Sequence, residues 1–344
     1  MTALASVGPV RAGSGRAAGT VLVLLAVSAV VIAAGLMVGT KPLSPAAALT
    51  ALFRPDGKLD SILVWSLRLP RSLAAFAGGA GLAVSGYLLQ ALTRNPLAGP
   101  GLTGVSAGAV APIVACFVFL PALSSVYYPP IGLVGGLGAA AVTFWIARGG
   151  NARPLHLALA GISVSLFLGA ITTYILLLSG PQVPSLLFWL SGGFQGRSWP
   201  QLLQMLPWVI GGTALALCCH RILQILSLSD QAAAGMGLNL ALWKPLLLLI
   251  AALPVAGVAP VAGPVAFVGL ATPHIVRLLR PEGPAWSILL NVAMGGLMTV
   301  SADLVARSIA LPKEIPVGIV TALIGGPIFV YLVQRRTMHI AGDP

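Results

Sequence analysis

Arg68-Leu69-Pro70-Arg71 opens an apolar run that closes on Gln90-Ala91-Leu92-Thr93-Arg94-Asn95-Pro96-Leu97-Ala98. The run, residues 71–91, is long enough to cross a hydrocarbon core of roughly 30 Å as one helix. Two arginines therefore stand at one membrane face and a polar, proline-broken turn at the other. Only 8% of the 344 residues are charged, so charges at these two places need a physical reason.

The rest of the chain has the same character. Hydrophobic residues make up 58% and the mean hydropathy is +0.98, whereas about a quarter of a soluble domain is charged. The chain reads as an all-α integral membrane protein. A formal charge of +12 would suggest nucleic acid in a soluble protein, but here the basic residues sit in short connections and at helix ends, where they orient spans. No nucleic-acid partner is expected. Cys116, Cys218 and Cys219 fall in or beside apolar runs without metal-ligand spacing and read as packing residues. The run Thr20 to Val38, preceded by Arg11 and Arg16, is too long for the apolar part of a signal peptide and reads as a retained first span.

Apolar length and punctuation place spans near 20–39, 71–91, 102–120, 130–147, 155–178, 201–221, 244–262, 264–279, 285–302 and 317–334, about ten helices. The expectation is one polytopic domain, 1–344, with cytoplasmic tails 1–19 and 335–344 and a long cytoplasmic connection, 222–243. With both termini inside, the inside connections and tails hold Arg11, Arg16, Arg94, Arg148, Arg153, Arg221, Lys244, Arg277, Arg280, Arg335 and Arg336. The excess over the outside set is small. Arg68 and Arg71, on the outside, are what this rule leaves unexplained. Gly78, Gly79, Gly81 and Gly86, with Pro254, Pro260, Pro264 and Pro273, fall within spans. Small residues let helices approach, and prolines are tolerated where protein or a wet path satisfies the freed backbone.

Ion-coupled transport would call for an acid or histidine deep in the membrane. The seven acids, Asp56, Asp60, Asp230, Glu282, Asp303, Glu314 and Asp343, are expected in connections, tails or span ends, and His156, His220 and His274 near helix ends. A phosphate-binding G-x-x-x-x-G-K-[ST] loop is missing as well, since none of Lys41, Lys58, Lys244 or Lys313 precedes Ser or Thr. If the chain drives transport, a partner supplies the energy. Residues 221–240 offer a place for that partner. Ser229 or Asp230 can cap a short helix through Ala232-Ala233-Ala234, and Gly235 and Gly237 can end it and start another. A docking knob and a connector that binds nothing are equally compatible with those residues.

A family resemblance now rests on an ordered set of motifs: Arg68-Leu69-Pro70-Arg71, Ser85-Gly86 with Gln90, Asn95-Pro96-Leu97-Ala98, Gly104-Val105-Ser106-Ala107-Gly108-Ala109, Leu159-Ala160-Gly161, Trp189-Leu190-Ser191-Gly192-Gly193-Phe194, Gly263 with Phe267-Val268-Gly269-Leu270, Pro273-His274 with Arg277, Ala302-Asp303 with Ala306-Arg307, and Glu314-Ile315-Pro316-Val317-Gly318-Ile319-Val320-Thr321. From about Leu67 to Val333 the chain resembles the permease subunits of ATP-binding cassette (ABC) importers for iron-siderophores, haem and cobalamin, the FecCD or BtuC-like permeases.

The resemblance implies a BtuC-like type II ABC importer permease fold of ten helices, with helices two to five and seven to ten related by a pseudo-two-fold. It implies a bacterial inner-membrane location, a second permease subunit, two ATPase subunits that use ATP and Mg, an extracytoplasmic substrate-binding protein, and no cofactor or catalytic site on this chain. By residue, it implies binding-protein docking at Arg68, Arg71 and Arg307, a cytoplasmic gate at Asn95 and Leu97, and ATPase coupling through Ser229, Asp230, Gln231, Ala232, Ala233, Gly235 and Gly237. Lipid-headgroup anchoring for the arginines and a plain helix-ending turn at Asn95 remain the alternatives. The family has Gly at the Ser229 position and Leu at the Met236 position, which leaves the shape of the knob open. An iron(III)-siderophore is the first choice of cargo, haem or cobalamin the next, and an ion-coupled secondary transporter is the alternative of another class.

Overall fold

The computed structural model describes residues 12–148, 154–180, 183–310 and 313–327. The expected cytoplasmic tail 335–344, most of the tail 1–19, and Arg11, Arg153, Arg335 and Arg336 lie outside the described residues.

Every expected span has a helical counterpart. In chain order these are α1 (Ala12–Met37), α4 (Leu69–Thr93), α5 (Val105–Phe119), α6 (Tyr128–Arg148), α7 (Pro154–Leu178), α9 (Trp199–Cys218), α12 (Leu240–Ala262), α13 (Val268–Leu278), α14 (Pro284–Ser308) and α15 (Val317–Pro327). Helices α2 (Pro45–Phe53), α3 (Leu59–Ile62), α8 (Val183–Leu190), α10 (His220–Leu226) and α11 (Asp230–Gly235) lie between them. Among the described residues seven helical stretches are long and apolar enough to span, and α5 and Val317–Pro327 are shorter apolar helices.

The segment Lys41 to Arg68, expected as a plain connection, is largely helical. Ser44 caps α2 by accepting from the Ala47 N–H, Pro45 opens it, and the Trp65 indole donates back to Ala51 O and Leu52 O. Leu63–Arg68 is a π-helical turn in which the Leu69 N–H reaches Val64 O. Pro70 has no N–H to offer Ser66, and widening the turn ahead of it keeps Leu59–Thr93 one continuous 35-residue rod. Trp65 stacks on Trp199 with centroids 6.3 Å apart, and the Trp199 indole donates to Trp65 O at 2.7 Å.

The centre of the bundle is α4, seventeen of whose 25 residues are buried, against α14, α12, α13, α9 and α1. Its small residues make this possible. A Cβ on Gly79 would overlap Gly295 O and Thr299 of α14, and one on Gly86 would overlap the Gly269 carbonyl of α13, so the backbones cross at a distance only glycine allows.

The expected span 264–279 is a half-helix. Eleven residues of α13 rise about 16 Å at 1.5 Å per residue, because Gly263 (φ +66) and Pro264 end α12 and leave 263–266 outside any helix. The end of α12 is stitched to the loop after α8, and that loop to the start of α15, so these carbonyls are not left open to lipid. Gly193 N donates to Ala262 O at 2.8 Å and Gly318 N to Gly192 O at 2.9 Å.

Candidate functional site

One end of the bundle gathers the C-terminal end of α1, the N-terminal end of α4, the C-terminal end of α14 and the segment before α15. Arg71 donates from Nε to Asp303 Oδ1 at 3.0 Å and from Nη1 to both Glu314 oxygens at 2.9 and 2.8 Å. Its Nη2 is also 3.0 Å from Asp303 Oδ1 but out of hydrogen-bond alignment. Arg307 pairs with Asp303 Oδ2 one helical turn away, and donates to Ser72 Oγ and Gly35 O, both at 3.1 Å. Arg68 donates to Leu36 O at 2.7 Å and to Lys41 O. The Gly35 and Leu36 carbonyls belong to the last turn of α1, which has no intrahelical donors left. Two guanidinium groups therefore cap the negative end of that helix.

These arginines are buried and paired within the chain rather than exposed at its rim. Arg68, Arg71 and Arg307 are 7%, 7% and 3% exposed. An unpaired guanidinium in the membrane is costly, and pairing it inside the protein removes most of that cost. The placement of Asp303 is corrected. It lies inside α14 and is 0% exposed. It is nonetheless held by two arginines and is not a free proton or ion site. Sequence reading missed this role although a signal was there: Asp303 and Arg307 stand four apart in a helix with no other charged residue.

The other end of α4 holds the turn read as a gate. Arg94 terminates the helix in the left-handed region (φ 48, ψ 30). Asn95, 7% exposed, accepts the Leu97 N–H on its own Oδ1 at 2.9 Å, so its amide oxygen holds the turn together and half-buried Leu97 is the freer of the two. Alongside, Arg277 donates to Gln90 Oε1 at 2.5 Å while Gln90 Nε2 donates to Leu270 O, fastening α13 to α4.

Residues 220–240 form a helix pair, arranged differently from the expectation of two helices about a glycine turn. The pair is α10 and α11, joined by Ser227-Leu228-Ser229. Ser229 Oγ caps α11 by accepting from Ala232 N at 3.0 Å, and Gly237 (φ +82) turns the chain out of it. Buried Ala233 and Leu238 share a cluster with Leu223 and Leu226 of α10 and so hold α11 to α10, leaving Gln231, Ala232, Gly235, Leu228 (47% exposed) and Met236 (62%) on the surface.

Asp230, the first residue of α11, joins this pair to two spans. Its oxygens lie 2.7 Å from Arg94 Nη2 and 2.6 Å from Lys244 Nζ. The hydrogen bond from Lys244 leads the causes that hold its carboxyl below the ordinary value of 3.8, with Arg94 adding to it. A carboxyl depressed by folding stabilises above its unfolded pKa and loses that contribution as pH falls through the folded value. An infrared titration of wild type against Asp230→Asn is therefore expected to show one carboxylate whose midpoint lies below the ordinary 3.8. A midpoint at or above the ordinary value would remove the two cations as its partners.

Among the described residues no three His, Cys, Asp or Glu side chains converge as metal ligands. The model of the FecCD transport family matches residues 24–335. The chain belongs to the FecCD transport family. Its relatives in that family include the Fe(3+)-citrate import system permease protein YfmD of Bacillus subtilis, 41% identical over 87% of this chain and 90% of the relative. The cobalamin import system permease protein BtuC of Halobacterium salinarum is 38% identical over 81% of this chain and 75% of the relative. A solved structure described as an inward-facing conformation of a metal-chelate type ABC transporter superposes with a TM-score of 0.77 at 28% identity, covering 92% of this chain and 99% of that one. This FecCD protein is thus a multi-pass membrane transport protein with a BtuC-like permease fold.

Proposed function

We propose that the chain is the permease subunit of an ATP-driven importer that passes a ferric chelate, an iron(III)-siderophore or iron(III)-citrate, from a binding protein to the cytoplasm. The observation that carries this reading is the 41% identity to a permease named for Fe(3+)-citrate import. A cobalamin cargo is the second reading, favoured by the 38% identity to a cobalamin permease. The chain carries out no bond chemistry. ATP and Mg are used by separate ATPase subunits, and a second permease, identical or related, completes the path.

The geometry supports a role for each end. The exposed Leu228 and Met236 on a short, well-anchored helix pair suit a protein cleft, and this end is the cytoplasmic one, facing the ATPase, with both termini on the same side. The arginine end faces the binding protein. Three arginines against two carboxylates leave one net positive charge there, and acidic lobes would be drawn to it, with steering rather than affinity as the main effect. Asn95 and Leu97 narrow the cytoplasmic mouth. An ion-coupled secondary transporter fits less well, since the buried Asp303 is already neutralised by arginine.

Reconstitution in vesicles with the ATPase and candidate binding proteins tests the reading. Uptake of a ferric chelate is expected only with ATP and the binding protein together. Uptake that persists without ATP hydrolysis would refute the importer, and uptake of cobalamin in place of ferric chelates would establish the second cargo.

A further inference from the structure

The helix pair and the gate turn are neighbours in space but 132 residues apart in the chain, and one side chain spans the gap. Arg94 sends Nη2 to Asp230 Oδ1 at 2.7 Å, and Nε and Nη2 to Leu226 O at 3.3 and 3.2 Å. It thereby grips the last turn of α10 and the first residue of α11 at once. On its own chain it is the residue at which α4 ends and the turn Asn95–Leu97 begins, and it stands in a left-handed conformation that a non-glycine residue adopts only when its surroundings hold it there. Lys244, on the second turn of α12, holds the other Asp230 oxygen at 2.6 Å.

We propose that Arg94 is a positioning residue that ties the Asn95–Leu97 turn to the α10–α11 pair, so that a displacement of the pair is delivered directly to the end of α4. The inference rests on the permease reading above and adds to it the physical link between the two sites. Three features support transmission over mere stapling. Two hydrogen bonds to Leu226 O and the ion pair to Asp230 hold the guanidinium against two elements, which a single ion pair does not do. The backbone from Arg94 to Leu97 is short and internally bonded, through Asn95 Oδ1 to Leu97 N and Asn95 O to Ala98 N, so it moves as a unit. The side chains of Arg94 and Asp230 are 39% and 44% exposed, and a half-solvated pair contributes little to stability. Its removal should therefore leave the fold intact and change only what the link transmits.

The test uses the complete complex in vesicles with its binding protein. Arg94→Ala is expected to assemble and to hydrolyse ATP at the wild-type basal rate, while cargo transported per ATP falls at least about fivefold, the lower range of a coupling free energy between sites. Arg94→Lys, which keeps the charge but not the fork, should recover part of that ratio. Asp230→Asn combined with Arg94→Ala should lose less than the two single losses together, since both variants remove the Arg94–Asp230 contact, while the part of the Asp230 effect that runs through Lys244 stays additive. A wild-type ratio in Arg94→Ala would overturn the proposal, and so would a proportional loss of assembly, hydrolysis and transport, which marks a merely structural contact. Failure of the wild-type complex to use ATP at all would instead overturn the permease reading.

Discussion

Replacing Asp303 with Ala is expected to destabilise the protein by about 3–5 kcal/mol, the usual cost of leaving a buried charge without its partner. The loss originates in the ion-pair network. Among the described residues Asp303 is the one carboxylate paired with both Arg71 and Arg307, and it is 0% exposed. Without it Arg71 keeps Glu314, whose side chain is 32% exposed, but Arg307 keeps only a hydroxyl and a carbonyl. The two cations would then repel each other at the junction of α1, α4 and α14. Thermal unfolding of detergent-purified protein, with the folded fraction read by size exclusion, should show a large loss for Asp303→Ala and a smaller one for Asp303→Asn, which retains acceptor geometry. Unfolding midpoints equal to wild type would show that the arginines are satisfied without the acid. The same network explains why reversing Arg68 or Arg71 to Glu would report on the fold before it reported on docking.

The second large effect is expected at Gly86. A Cβ there would overlap the Gly269 carbonyl, which is backbone and cannot swing aside as a side chain would. Gly86→Ala must push α13 away from α4, and overpacking of this kind costs about 1–3 kcal/mol or more. Gly138→Ala in α6, where nothing lies within 4 Å of the added carbon, is the control and should be neutral or slightly stabilising, since glycine is a poor helix former. A Gly86→Ala protein as stable and as active as Gly138→Ala would mean that the two helices do not cross so closely.

Much of the fold was legible in the sequence because spanning a membrane is a local requirement. A stretch such as Thr20 to Val38 declares itself by apolar length, and each of the ten expected spans has a helix in the structure. The misplacements have local causes as well. The Lys41 to Arg68 segment is broken by Pro55, Asp56, Gly57 and Lys58, which hid α2 and the π turn. Around 264–279, apolarity continues through Gly263 and Pro264, where the helix does not. At the sites, Ser229 as a cap and Gly237 as the exit of α11 were readable, since capping involves residues three apart. The partners of Arg71, Arg94 and Arg307 were not.

By itself, then, the sequence determined a membrane-spanning helical permease of the FecCD family, because hydrocarbon thickness and backbone satisfaction act on each segment separately and ordered motifs identify kin. Only the tertiary structure decided what the charged residues do. Arg71 meets Asp303 across 232 positions of chain and Arg94 meets Leu226 across 132. Whether a guanidinium faces water, lipid or a carboxylate depends on which segments pack together, and pairing energies fall off over a few ångströms in space regardless of distance along the chain.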